Sequence, residues 1–114
     1  MLDSVRLGEN TGLRVSKLCL GTMNFGEPGR GHQGDWTLGT DKARPIFKAA
    51  IEQGVNYFDC ADIYGIGASE LVVGQVLKEL LSRDEYVLTT KVSMPMGHAA
   101  NQGGLSRKHI IEGV

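Results

Sequence analysis

Between residues 43 and 51 the apolar side chains Ala43, Ile46, Phe47, Ala50 and Ile51 recur at the i, i+3, i+4, i+7, i+8 spacing that lays one stripe along a helix. A second stripe, Val73, Val76, Leu77, Leu80 and Leu81, keeps the same period. Thr40 or Asp41 can cap the first helix and Gly54 can end it, while Ser69 can cap the second. Pro45 costs the first helix little only if it falls in the first turn. Apolar runs without helical period stand around these stripes. Residues 17–22 (KLCLGT) predict a fully buried parallel strand, and 55–60 (VNYFDC) and 86–92 (YVLTTKV) predict two more. Ahead of them, residues 5–7 and 13–15 flank the turn-forming GENTG and predict a hairpin. Ser106 predicts the cap of a last helix that begins RKHIIEGV.

Alternation of strand and helix predicts β-α-β units with parallel strands, hence an α/β fold. The last apolar face, Ile110, Ile111 and Val114, covers only about two turns, and the third strand would present a bare edge that invites pairing. The expectation is therefore that residues 1–114 form the first part of a larger domain.

Composition narrows the class. The chain has 114 residues, 41% of them hydrophobic, enough for a modest core. A net charge of −1 with interspersed signs gives no basic face for nucleic acid or a membrane surface. The start, MLDSVRLGEN, has no secretory pattern, and no apolar run reaches the ~18 residues of a membrane span. A soluble cytoplasmic protein is expected. Cys19 and Cys60 stand apart without metal-ligand spacing and read as reduced thiols. His32, His98 and His109 likewise share no such spacing and read as surface imidazoles, so no metal is expected. Many of the 16 glycines fall in segments 26–39 and 97–104, which predict two long loops. Trp36 and residues 94–96 lie in these loops, where they either wall a pocket or pack the loop down.

In parallel α/β folds ligands sit beyond the carboxyl ends of the strands. Three strand ends carry chemistry here: GTMNFG, DCADIYGIG and TTKV. Val87, Thr89 and Lys91 share one strand face with Lys91 nearest the rim, and Asp59 and Tyr64 straddle the neighbouring strand end. An ammonium beside a phenol stabilises the phenolate and brings a poor acid toward working range, and a carboxylate keeps that ammonium charged. Such a trio can protonate a carbonyl oxygen, but the hydride must come from a cofactor. Each member also has a plain structural reading: a strand-end cap for Asp59, a half-packed ring for Tyr64, a lysine reaching to solvent for Lys91. Asp62 reads as a loop or capping residue. YGIGASELVVG evokes a dinucleotide-binding glycine turn, yet Glu70 stands where the third glycine belongs and would repel a pyrophosphate.

LGTMNFG, GVNYFDCADIYGIGASELVVGQVL and VLTTKV, in this order and spacing, resemble the aldo-keto reductase family, and GHQGDWTLG is similar to its bacterial aryl-alcohol dehydrogenase-like branch. The resemblance implies an NADPH-dependent oxidoreductase on a (β/α)8 barrel, of which this chain supplies the leading hairpin and about three β/α units of a domain that typically needs ~250 residues. It implies that Tyr64 is the general acid, that Lys91 lowers its pKa and that Asp59 pairs with Lys91. Gly21, Thr22, Met23 and Asp59 would lie along the cofactor. The family's fourth catalytic residue, a histidine after the fourth strand, lies beyond Val114, and His109, in a helix's first turn, is not that residue. The expected partner is a small carbonyl substrate; the chain alone is expected to be inactive. A noncatalytic, cofactor-binding regulatory protein, as in the potassium-channel β-subunit relatives, is the alternative, and an inert remnant a third. Oligomeric state is left open.

Overall fold

A computed structural model describes residues 2–114. Its elements alternate as the apolar pattern requires. A hairpin of β1 (Ser4–Arg6) and β2 (Arg14–Ser16), in register Val5 to Val15, precedes a parallel sheet. That sheet has the order β3 (Leu20–Gly21), β4 (Tyr57–Asp59), β5 (Val87–Thr89). Helix α1 (Thr40–Glu52) connects β3 to β4, α2 (Ala68–Leu80) connects β4 to β5, and α3 (Arg107–Gly113) follows. The fold is α/β, a partial (β/α)8 barrel with the leading hairpin.

The core lies between the sheet's outer face and the two long helices. Phe58 is fully buried, stacks on Phe47 of α1 at 5.5 Å between ring centres, and meets Tyr86 edge-on at 6.4 Å. Phe25 stands edge-on to Phe47 at 5.0 Å, and Val73, Val76 and Leu77 of α2 close the layer. Each such side chain contributes roughly 1.5–3 kcal/mol through burial alone. Not all of either stripe is inside: Ile46 is exposed, while Val72, outside the expected set, is buried. Asn56 pins the hairpin under the sheet, its Oδ1 accepting from the Ser16 amide at 2.7 Å.

Several local expectations are corrected. Helix α1 starts after Gly39 with no side-chain cap, so neither Thr40 nor Asp41 caps it. Pro45 is its sixth residue, beyond the first turn, and stays on the exposed side where water can serve the freed carbonyl. Gly54 does end the helix, with φ +95°, and Ser106 does cap α3, accepting from the His109 amide at 3.1 Å. Ser69 is not a cap. Helix α2 begins after Gly67, whose φ of +88° only glycine adopts at little cost, and Ser69 lies inside the helix, wholly buried. The expected 17–22 strand shrinks to Leu20–Gly21: Leu18, in a bend before it, is 60% exposed, and Cys19 is exposed.

Candidate active site

The three strand ends meet where the sequence places its chemistry. Strand β4 ends in Asp59, whose register partners are Gly21 on β3 and Thr89 on β5. Two steps past Thr89, Lys91 returns to the same inner face, so its ammonium lies over the carboxylate. Nζ donates to Asp59 Oδ2 at 2.8 Å, to the Cys60 carbonyl at 2.8 Å and to the Tyr64 hydroxyl oxygen at 3.2 Å. An ammonium has three N–H donors, and here each has an acceptor. The other carboxylate oxygen, Oδ1, accepts from Thr89 Oγ1 at 2.8 Å.

Electrostatics follow from this geometry. Partial burial works to raise the Asp59 pKa, but hydrogen bonds from Lys91 and Thr89 and the ammonium's charge outweigh it and hold the carboxyl below its ordinary value. Burial likewise works to lower the Lys91 pKa, and the hydrogen bonds to Asp59 and Tyr64 overcome it, leaving the amine above its ordinary value. Cys19, one residue before β3, is near enough to feel both: burial first and then Asp59 push its thiol up, against the lowering pull of Lys91.

Tyr64 is held by its own loop. Residues 65, 66 and 67 all take positive φ, +59°, +49° and +88°, and curl the chain back so that the Ser69 amide donates to the Tyr64 carbonyl at 3.2 Å. Asp62 N–H donates to the Lys91 carbonyl at 3.1 Å, fastening this loop to the end of β5. Beneath it, Ser69 Oγ donates to the Thr22 carbonyl at 2.8 Å and Thr22 Oγ1 donates to the Asp59 carbonyl at 2.9 Å.

Of the residues expected along a cofactor, Gly21, Met23 and Asp59 have surface at this rim; nothing lies within 4 Å of where a Cβ on Gly21 would stand. Thr22 is different. It is wholly buried, and its side chain holds Asp59 rather than facing a ligand. Beside the Tyr64 ring an apolar cavity of about 330 Å³ is walled by Met23, Trp36, Ile63 and Met94, with His32 and Gln33 at its edge. Trp36 and Met94 thus wall a pocket. Met96 instead lines a second cavity, of about 300 Å³, with Asp62 and His109.

Two readings change. His109 is buried, not a surface imidazole, and Asp62 is buried as well; Asp62 Oδ2 and His109 Nε2 have no hydrogen-bond partner among the described residues. Glu70 does lie in the first turn of α2, where its carboxylate accepts from Thr90 Oγ1 at 2.6 Å. Sequence reasoning also missed Gln33, which is buried in the 26–39 loop; one of several polar residues in an aperiodic loop gives no signal that it is the buried one.

A sequence model of the Aldo/keto reductase family matches residues 17–114. The chain belongs to that family. It is 42% identical over 107 residues to a Schizosaccharomyces pombe protein named as a candidate voltage-gated potassium channel subunit beta, covering 91% of this chain and 29% of the relative. It is 34% identical over 131 aligned positions to the versiconal hemiacetal acetate reductase of Aspergillus parasiticus, covering 99% of this chain and 37% of that protein. The solved holo form of an aldo-keto reductase from Bacillus halodurans superposes with a TM-score of 0.72 at 31% identity, over 98% of this chain and 34% of the other. The chain therefore spans about a third of the length of these relatives.

Proposed function

We propose that this aldo-keto reductase chain supplies the acid side of an NADPH-dependent reduction of aldehydes or ketones to alcohols, in a cytoplasmic barrel completed by further β/α units. The observation that carries the reading is the Lys91 ammonium, bonded at once to Asp59, the Cys60 carbonyl and the Tyr64 hydroxyl.

The open strip over Gly21, flanked by Met23 and Asp59, suits a flat ring laid along the strand ends, so these residues fit the nicotinamide end of the cofactor. When bound, NADPH supplies the hydride that the protein lacks. The Tyr64 hydroxyl would give its proton to the carbonyl oxygen, so that the reduced product leaves as the alcohol. Lys91 stabilises the phenolate that remains, its Nζ 3.2 Å from the phenol oxygen. Asp59 keeps the lysine charged and aimed, and Thr89 fixes the carboxylate. The apolar cavity beside Tyr64 seats the rest of the carbonyl compound away from water.

In the completed barrel, Tyr64→Phe should lower turnover of an aromatic aldehyde by about 10²–10⁴-fold while NADPH affinity stays near wild type. Unchanged turnover would remove Tyr64 from the acid's role. The 114-residue chain by itself is expected to oxidise no NADPH above a Tyr64→Phe control.

The likeness to a protein named for a channel β-subunit supports a second reading, a noncatalytic cofactor-binding regulatory subunit. Steady-state assays against a panel of aldehydes and ketones separate the two: reduction of any of them, abolished by Tyr64→Phe, favours the enzyme.

A further inference from the structure

Gln33 does something the reaction above leaves unassigned. It lies in the loop between β3 and α1, yet only 4% of its surface is exposed. Its amide makes three hydrogen bonds, all to the backbone of the same loop. Nε2 donates to the Met23 carbonyl at 3.0 Å and to the Phe25 carbonyl at 2.8 Å, and Oε1 accepts from the Glu27 amide at 2.9 Å. The same amide sits directly on two glycines. A Cβ on Gly26 would come within 2.0 Å of Oε1, and one on Gly65 within 2.1 Å. Gly65 follows Tyr64. One side chain therefore touches the strand end that carries Met23, the loop that carries Trp36, and the turn that carries the phenol.

Resting on the reductase reading, we propose that Gln33 is a positioning residue that sets the gap between the pocket wall of Met23 and Trp36 and the Tyr64 hydroxyl, and so determines preference for aromatic over small carbonyl substrates. Physical reasons favour this role over simple loop filling. A buried amide with all three hydrogen bonds made to fixed backbone has one position, and removing it strands three backbone groups. Contact with Gly65 at glycine-only distance leaves no slack between that amide and the Tyr64 turn.

The test uses Gln33→Met, which keeps the volume and removes the hydrogen bonds. In the completed barrel, the ratio of kcat/KM for benzaldehyde to that for propanal should fall about tenfold, the loss appearing in KM for benzaldehyde, because misplacing a positioned group by a fraction of an ångström costs this much. A merely structural role would lower both substrates together and leave the ratio alone. Trp36 is the single tryptophan of these 114 residues, so the emission of the 114-residue chain reports the wall directly and should shift to the red in Gln33→Met. An unchanged substrate ratio with wild-type Trp36 emission overturns the proposal. If Gln33→Met does not fold, Gln33→Asn retains the amide but withdraws it from Gly65, and should show the same two changes at smaller amplitude; their absence there overturns it equally. Should wild type reduce no carbonyl at all, the functional reading fails, and the Trp36 emission shift still decides whether Gln33 sets the wall.

Discussion

Phe58 and Asp59 are neighbours on β4, yet they belong to different halves of the molecule. Phe58 points outward, is fully buried and stacks on Phe47 beneath the helices. Asp59 points inward to a partly open rim and spends its carboxylate on Lys91 and Thr89. A strand alternates faces at every residue, so one step along the chain separates the side that stabilises the fold from the side that holds the candidate site. The outer side is apolar, interlocked and insensitive to protons. The inner side is polar and hydrogen-bonded, and its arrangement depends on two charges. Such a division lets the inner face change its chemistry without unpacking the core.

Substitutions can break this contrast. Phe58→Ala should cost about 3–5 kcal/mol, a large share of a domain's usual net stability, and should erase or nearly erase the cooperative transition in chemical denaturation. Asp59→Ala, one position on, should shift that transition far less; equal losses would refute the division. Next in size is Ser69→Ala, which leaves the buried Thr22 carbonyl without its side-chain partner and should cost about 1–3 kcal/mol by the same measurement. A null result there would mean Ser69 is not what joins α2 to the strand end. Smallest is the pH effect. Asp59, with its pKa lowered, stabilises the fold fully above its ordinary 3.8 and loses that contribution as pH falls through the folded-state value. Lys91, with its pKa raised, contributes fully below its ordinary 10.5 and loses this as pH rises through its own folded-state value. Between these limits the pair should leave stability flat, and Asp59→Asn should diminish its acid-side and alkaline-side changes.

Much of this organisation was legible in sequence because it repeats. The two helical stripes, the three strands and the rim position of Lys91 follow from periods of 3.6 and 2, and Asp59, Tyr64 and Lys91 do converge. What escaped was set by single contacts. Serine at the head of an apolar helix reads as a cap, but Gly67 in a left-handed conformation turns the chain one residue earlier and Ser69 goes to the core. Residues 17–22 look like a buried strand because they are an apolar run, yet only Leu20 and Gly21 pair in the sheet, and Leu18 and Cys19 ahead of them are exposed among the described residues. His109 reads as polar surface until α3 folds onto the β4–α2 loop. Gln33 has no pattern at all; its meaning depends on two glycines, one of them 32 residues away in sequence.

At the centre of this account stands the claim that Asp59 holds Lys91 charged against the Tyr64 hydroxyl. Titration of the Lys91 side chain, followed by NMR of the 114-residue chain in wild type and Asp59→Asn, tests it most directly. The prediction is a wild-type amine titrating above 10.5 and a distinctly lower value once the carboxylate is gone. A wild-type value at or below 10.5, or one that Asp59→Asn leaves in place, would contradict it.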